Sequence, residues 1–491
     1  MHITRHFKHQ IGGSVLMIDL LLPEQSEQPL YQQLYFLIRD SIRSGVIANG
    51  QRLPSVRSLQ NQLNISKTPI ETAYQMLTAE GYVISKPRSG LYAVNPYQRE
   101  VARPISGEAA KPAAAAPVLG TEYSLPPVQV DFNPTALDPG AFPVRIWNKM
   151  LKESLDQHLQ EIGHYGDPQG EYGLRMVVSD YLRNSRGVQS TPEQVVIGAG
   201  TAYSMGILSK LLKGIQAVAF EEPGYSLVRD QFHLNGFQVI PIPVGDSGIS
   251  ITALNRRQVQ LVYVTPSHQF PTGSIMPYPE RERLLRWAED NHAYIIEDDY
   301  DGEFRYHGKP IPSLQGLDRS GRVIYAGTFS KVLTPTLRMN YLVLPPDLMN
   351  RLKKMPHTLF FAPSRVEQWA MESFFKEGHW YRHIRRTRSL YRKRHRHLID
   401  ILHTYLGNHV EISGQYSGLH IQLTIKKHVT SEELIRLAAE QGVRVYDLRK
   451  MWIGQTQDAG QYPRLYMGFA GLREEEMEYG IQLLRKAWSL D

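Results

Sequence analysis

The sequence predicts an α/β protein in two parts: a small amino-terminal unit of short helices closed by a basic hairpin, and a large α/β domain. Three observations lead there. Short amphipathic periods with basic punctuation run over residues 28–95. A stretch without hydrophobic period, containing Glu108-Ala-Ala-Lys-Pro-Ala-Ala-Ala-Ala-Pro117 and Pro126-Pro127, reads as a linker over 96–128. From 129 to 491, apolar runs at 194–197, 217–220, 259–264, 294–297, 322–326 and 341–344 alternate with helical periods, as buried parallel strands do.

At 491 residues the chain exceeds one ordinary domain, and 42% hydrophobic residues suffice for a core. A net charge of +7 favours an anionic partner only weakly. With no cysteine, disulfides, zinc-finger sites and cysteine catalysis are excluded. The apolar stretch 15–22 is broken by Asp19, is too short to span a bilayer and lacks a small-residue cleavage site. A cytoplasmic protein with no membrane partner is expected.

In the first unit, Tyr31, Leu34, Tyr35, Ile38 and Ile42 keep helical spacing, and that helix ends before Gly45. In Leu53-Pro-Ser-Val-Arg57, Ser55 stands as N-cap of a second helix with Leu59 and Leu63 as its buried stripe. Asn64-Ile65-Ser66 makes a tight connection. Ser66 caps a third helix, and Pro69 falls in its first turn, where a missing N–H is harmless. Ile70, Ala73, Tyr74 and Leu77 form the core face, leaving Lys67, Thr68, Thr72 and Gln75 outward. A short helix, a turn and a polar-tipped helix are how a recognition helix enters a major groove. After Glu80-Gly81, the segment 82–94 reads as a hairpin with a basic tip at Lys86 and Arg88. Residues 41–95 hold six cations (Arg43, Arg52, Arg57, Lys67, Lys86, Arg88) against Glu71 and Glu80. The alternative is a small helical bundle whose hairpin contacts protein.

The order helix, Leu-Pro-Ser-x-Arg, third helix, Glu-Gly-Tyr, hairpin resembles the GntR winged helix over nearly the whole region. The resemblance implies a double-stranded DNA operator met by Arg57 and by Ser66, Lys67, Thr68 and Thr72, with Arg88 and Gly90 in the wing beside Lys86. Lys67-Thr68-Pro69 stands where the family more often has Arg-x-Thr, so the operator sequence does not transfer.

The large domain carries dispersed motifs. Thr328-Phe-Ser-Lys331 follows a strand, with Pro335 and Arg338 downstream; an amine beside hydroxyls and a guanidinium suits a Schiff base to a phosphorylated aldehyde. A solvated surface lysine is the other reading. In Ile296-Glu-Asp-Asp-Tyr-Asp-Gly-Glu-Phe304, Asp298 suits a pyridinium nitrogen and Tyr300 a ring phenolate, while a Mg²⁺ or Ca²⁺ site competes for the same carboxylates. Gly198-Ala-Gly-Thr-Ala202 opens a helix and suits phosphate, or is a plain turn. Tyr225, in Glu222-Pro-Gly-Tyr225, offers a face for stacking or sits in the core. Thr265-Pro-Ser-His-Gln-Phe-Pro-Thr-Gly273 is a polar loop after a strand, where α/β sheets bind ligands.

Together with Tyr165-Gly-Asp-Pro-Gln-Gly-Glu-Tyr-Gly-Leu-Arg175, these segments resemble the fold-type I, class I aminotransferases, and more closely the MocR subgroup of GntR regulators, from about residue 131 to the carboxyl end. The resemblance implies an N-terminal winged helix-turn-helix joined to an aminotransferase-like domain with a smaller carboxy-terminal α+β subdomain. It implies pyridoxal 5′-phosphate (PLP) as cofactor, with Lys331 as Schiff-base lysine, Asp298 on the pyridine nitrogen and Tyr300 on the phenolate oxygen. Tyr225 stacks on the ring, and Thr201, Ala202, Thr328 and Arg338 surround the phosphate. Tyr165 reaches the phosphate of the neighbouring subunit, which makes the protein a homodimer. No metal is expected.

The sequence also departs from the enzymes. Phe270 replaces the asparagine of Asn-Pro-Thr-Gly, so Ser267, His268 or Gln269 substitutes, or the phenolate oxygen goes without that partner. Tyr466 stands at the arginine that clamps the substrate carboxylate; Arg464, two residues earlier on the same strand face, is the weak substitute. Asn340 replaces a glycine. The expected function is a PLP-dependent regulator that senses PLP or an amino acid through this domain, without efficient turnover. An active aminotransferase with an accessory DNA-binding domain is the alternative, and a cofactor-free scaffold a third.

Overall fold

A computed structural model describes residues 28–86, 89–95, 126–306, 311–356, 362–453 and 462–490. The chain divides into two compact units, Met1–Val118 and Leu119–Asp491. In the first, helices α1 (Leu30–Arg43), α2 (Val56–Leu63) and α3 (Lys67–Ala79) precede strands β1 (Val83–Lys86) and β2 (Gly90–Ala93). The expected stripes meet in one core: Leu34, Ile38 and Ile42 of α1, Leu59 of α2, and Ile70, Ala73, Tyr74 and Leu77 of α3. Ser55 Oγ accepts from the Ser58 N–H at 3.1 Å. Ser66 does occupy the N-cap position of α3, but its side chain makes no capping bond. Asn64 turns the chain between α2 and α3 in the left-handed region (φ 52°), which asparagine tolerates. The hairpin pairs in register from Val83↔Ala93 to Lys86↔Gly90. Arg88, at the expected basic tip, and residues 96–125 of the expected linker lie outside the described residues.

The second unit is built on an eight-stranded sheet of order β4-β11-β10-β9-β8-β5-β6-β7. Its strands are β4 (Val195–Gly198), β5 (Ala217–Glu222), β6 (Gln238–Gly245), β7 (Gly248–Ile249), β8 (Leu261–Val264), β9 (Tyr294–Asp299), β10 (Val323–Thr328) and β11 (Asn340–Val343). Before them comes β3 (Val130–Asp131). Strands β10, β9, β8, β5 and β6 are successively parallel. The run at 341–344 is a strand, but it is antiparallel to both neighbours rather than parallel as read from its apolar character. Burial on both faces gives either orientation the same continuous apolar run. Alternation divides the central strands between two cores: Val218, Phe220, Leu261, Tyr263 and Ile296 face one, and Ala219, Val262, Val264 and Ile295 the other.

A smaller antiparallel sheet holds β12 (Val410–Ser413), β13 (His420–Ile425), β15 (Tyr446–Asp447) and β16 (Arg464–Gly468), while β14 (Val443–Arg444) pairs in parallel with β3. The 28-residue helix His379–Leu406 precedes the smaller sheet. Among the described residues, no helix is long and apolar enough to cross a membrane.

Candidate functional site

The carboxyl ends of β8, β9 and β10 and the helix starting at Thr201 open onto one cleft of about 310 Å³. Its lining includes Thr201, Tyr225, Asp298, Tyr300, Thr328, Lys331 and Arg338, seven of the residues singled out in the sequence. Thr135, Thr265, Phe270, Ser330 and Pro335 complete it. Ala202 sits in the first turn of the helix Thr201–Leu211 without lining the cleft, and Tyr165 is fully exposed on this single chain.

Strand alternation sorts the acidic run. Asp298 faces the cleft, and its Oδ2 accepts from the Tyr263 hydroxyl at 2.6 Å. Burial raises its pKa to about 7, against the lowering effect of the Tyr263 bond. Glu297 and Asp299 point the other way. Glu297 accepts from the N–H groups of Leu314 and Gln315 and lies 3.7 Å from Arg281; Asp299 pairs with Arg186 at 2.6 Å. Carboxylates so divided do not converge on one hard cation. Lys331 Nζ donates to the Pro134 carbonyl at 3.0 Å, and burial lowers its pKa, which favours the nucleophilic neutral amine.

Beside Lys331 is a cup that excludes side chains. A Cβ on Gly200, whose φ is +100°, would lie 2.9 Å from Arg338 Nη2. A Cβ on Gly198 would lie 2.2 Å from Ser204 Oγ and 2.5 Å from Asn340 Oδ1. Asn340 Oδ1 accepts from the Gly200 N–H at 3.1 Å and from Ser204 Oγ at 3.0 Å, so this departure from glycine ties down the turn. Gly200 is the N-cap of the helix Thr201–Leu211 and no side chain caps it, which leaves first-turn N–H groups beside a guanidinium. That is an anion site.

Of the three candidates to replace the missing asparagine, Ser267 and Gln269 are engaged elsewhere, whereas His268 keeps a buried Nε2 with no partner among the described residues. Ser267 Oγ accepts from Arg186, His268 Nδ1 meets Asp301 Oδ2 at 2.9 Å, and Gln269 Nε2 donates to Glu221 and to the carbonyls of Pro223 and Phe270. Phe270 fills the space, edge-on to Tyr225 at 5.3 Å and near Tyr300, His420 and Tyr466. The Tyr300 hydroxyl donates to the His268 carbonyl at 3.0 Å. Sequence reading missed the buried group His268, Asp301 and His420, whose donor atoms lie within 4.8 Å of one another, a set able to hold a metal ion. Only the fold brings residues so far apart in sequence together, so no local spacing signalled it.

Tyr466 is buried against Phe270 and Tyr446, while Arg464 lines a different cleft with Glu411, Gln422 and Thr424. The cations lining the Lys331 cleft, among the described residues, are Lys331 and Arg338. On the amino-terminal unit, Arg57, Ser66, Lys67 and Thr68 are exposed and Thr72 is half-buried. Lys67 pairs with Glu71 at 2.8 Å, Lys86 lies over the Tyr92 ring at 4.5 Å, and Gly90 packs near Arg52.

A lysine-bearing cleft at the strand ends of an α/β sheet, carried on one chain with a winged helix, defines a regulator built on an aminotransferase fold. Known proteins agree with that class. Residues 135–484 match the family "Aminotransferase class I and II", and residues 30–92 match "Bacterial regulatory proteins, gntR family". The chain is 42% identical over 472 residues to the HTH-type transcriptional regulator YhdI of Bacillus subtilis, covering 96% of this chain and 98% of that one. It is 30% identical over 479 residues to the pyridoxine biosynthesis transcriptional regulator PdxR of Corynebacterium glutamicum, covering 97% and 100%. The α-aminoadipate aminotransferase LysN of Thermus thermophilus, solved with N-(5′-phosphopyridoxyl)-L-leucine, superimposes with a TM-score of 0.65 at 25% identity, over 73% of this chain and 92% of that one. The chain belongs to the MocR-type GntR family of transcriptional regulators, DNA-binding proteins with a fused aminotransferase-like domain.

Proposed function

We propose that the protein is a PLP-responsive regulator in which residues 28–95 read a double-stranded operator, 96–128 link, and 129–491 form a homodimeric sensor. The observation that carries this is the cup at Gly198 and Gly200. Neither glycine has room for a Cβ, Gly200 lies against Arg338 at a helix N-terminus, and Arg338 and Thr201 line the cleft together with Lys331 and Asp298. The donor set fits PLP: a dianion at the cup, an amine for the aldehyde and a buried carboxyl for the ring nitrogen. When bound, the cofactor supplies an electrophilic aldehyde on an electron-withdrawing ring. Lys331 offers the amine, and Asp298 holds a proton shared with the ring nitrogen. Arg338, Thr201, Thr328 and the Ala202 N–H would hold the phosphate and Tyr225 would cover the ring; Tyr300, whose hydroxyl here donates to the His268 carbonyl, would turn that proton to the phenolate oxygen. Tyr165, bare on one chain amid exposed Leu159, Ile162 and Tyr172, supports pairing with a second subunit whose phosphate it would reach.

The effector we favour is PLP itself. An amino acid needs a cation for its carboxylate. Lys331 and Arg338 have other tasks, Tyr466 is not cationic, and Arg464 opens elsewhere. This lack also weighs against efficient transamination. The name of the relative PdxR, from pyridoxine biosynthesis, agrees with feedback on that pathway. The test is titration of cofactor-free protein with PLP, borohydride trapping, and operator binding with and without PLP or amino acids. Label on Lys331 and a PLP-dependent operator affinity are expected. Label on another lysine, or operator affinity indifferent to PLP but responsive to an amino acid, would overturn the reading.

A further inference from the structure

We infer that the exposed face of the helix His379–Leu406 is a second DNA-contact surface, gripping the phosphate backbone beside the operator. The inference rests on the DNA-binding identity of the family. The inner face of this helix is core: Trp380, Ile384, Tyr391, Leu398 and Leu402 are buried there. Its outer face carries Arg382, Arg385, Arg386, Arg392, Lys393 and Arg396, all exposed and lining one shallow groove. Steps of three and four residues put them on one stripe.

Almost none of this charge is neutralised. Lys393 pairs with Glu474 at 2.8 Å. Arg382 donates to the Glu377 carbonyl, and Arg386 to the carbonyls of Gly140 and Ala141, bonds that hold a guanidinium without cancelling its charge. Arg385, Arg392 and Arg396 form no ion pair among the described residues. Arg394, by contrast, is buried and pairs with Asp138, which is what a structural arginine on this helix looks like. A row of unpaired guanidiniums repels itself unless an anion lies along it.

The stripe fits a regular polyanion. From Arg382 to Arg396 the helix advances about 21 Å at 1.5 Å per residue, the length of about six base pairs at 3.4 Å per step. Guanidinium groups match phosphate oxygens in pairs. A lipid surface would also attract cations, but an interfacial helix inserts large apolar side chains among them, and the residues between these cations are Ser389 and the half-buried Leu390. The linker length read from the sequence, roughly 33 residues, reaches up to about 110 Å, so one duplex is within reach of both units.

The test uses the full-length protein and Arg385→Ala/Arg392→Ala/Arg396→Ala, with operator fragments of increasing flank length over a range of salt. On long fragments the variant should bind more weakly, with a salt dependence shallower by about 0.9 for each phosphate no longer neutralised, or about 2.7 for three. The wild-type advantage should then shrink about 40-fold between 50 and 200 mM salt. On the shortest fragment still bound specifically, the two proteins should match. Replacing the same three residues by lysine should restore most of the salt dependence, and all variants should keep the wild-type melting temperature and PLP spectrum. Equal affinity and equal slope on long fragments would overturn the inference, as would a weakening that ignores salt. In either case the wild type would still bind its operator, and the family reading would stand. A wild type that binds no DNA would fail on the winged helix instead.

Discussion

Replacing Asp298 by asparagine separates what the cleft does for the cofactor from what it costs the empty protein. In the folded chain burial raises the Asp298 pKa to about 7, whereas an unfolded aspartate titrates near 3.9. Because the folded value is the higher one, the contribution to stability is present at low pH and is lost as pH rises from about 4 through about 7. One pKa unit is 1.36 kcal/mol, so the shifted titration of Asp298 costs the cofactor-free fold well under about 1 kcal/mol at pH 4 and about 4 kcal/mol at pH 8. Asparagine keeps an acceptor for the Tyr263 hydroxyl and removes the charge. Asp298→Asn should therefore stabilise the cofactor-free protein, by little at pH 4 and by up to about 4 kcal/mol at pH 8, in chemical denaturation followed by tryptophan fluorescence. With saturating PLP the order should reverse, because the amide cannot hold the ring nitrogen's proton. Cofactor-free curves that superimpose from pH 4 to pH 8, or equal stabilisation of both proteins by PLP, would refute the assignment of Asp298 as a buried carboxyl waiting for a cationic partner.

Three further outcomes are expected. Gly200→Ala places a Cβ 2.9 Å from Arg338 Nη2 at a φ of +100°; the backbone strain should cost about 1–3 kcal/mol of stability, and because Arg338 or the turn must shift, PLP affinity should fall as well, which spectral titration would check. Lys331→Ala should lose the borohydride-trapped label while keeping the dimer, which mass spectrometry and sedimentation check together. Arg57→Ala should weaken operator binding and flatten its salt dependence by about one counterion, leaving the PLP spectrum unchanged; unaltered affinity in a gel-shift titration would remove Arg57 from the interface.

How much of this was legible in sequence depended on whether the information was local. The stripe Ile70, Ala73, Tyr74 and Leu77 follows from period alone, and the structure buries all four. Strand ends such as Asp298 and Thr328 were legible because apolar runs stop there. Strand β6 was not found: Pro241 and Pro243 interrupt it, and it lies toward the edge of the sheet, half-exposed, where no continuous apolar run is needed. The antiparallel course of β11 was hidden for the opposite reason, since full burial erases any mark of direction. Asn340 read in sequence only as a departure from glycine, yet its side-chain carbonyl oxygen anchors Gly200 and Ser204 from about 140 positions away, a contact only topology creates. Arg464 and Tyr466 are spaced as period two requires, but Arg464 opens onto one cleft while Tyr466 is buried against Phe270, which lines the other. Pattern fixes a face and leaves open how far along it the cofactor lies.

Sensing follows only if the cofactor distinguishes between states that differ in DNA affinity. A coupling of about 1–3 kcal/mol changes operator affinity roughly 5- to 150-fold, and the operator must change PLP affinity by the same factor. That reciprocity is measurable without knowing where the two units sit. PLP is titrated into the protein with and without saturating operator, and operator is titrated with and without PLP. A factor above one, equal in the two titrations as linkage requires, shows that the two sites share an equilibrium. The proposed DNA-contact stripe on His379–Leu406 would give that equilibrium a physical handle: it belongs to the aminotransferase-like unit, so DNA bound there would weight that unit's states directly rather than through the linker. Neutralising Arg385, Arg392 and Arg396 should then shrink both factors together. If the variant loses affinity for long DNA but keeps the full PLP response, the stripe holds DNA without reporting on the cofactor, and the coupling runs through the chain between the units.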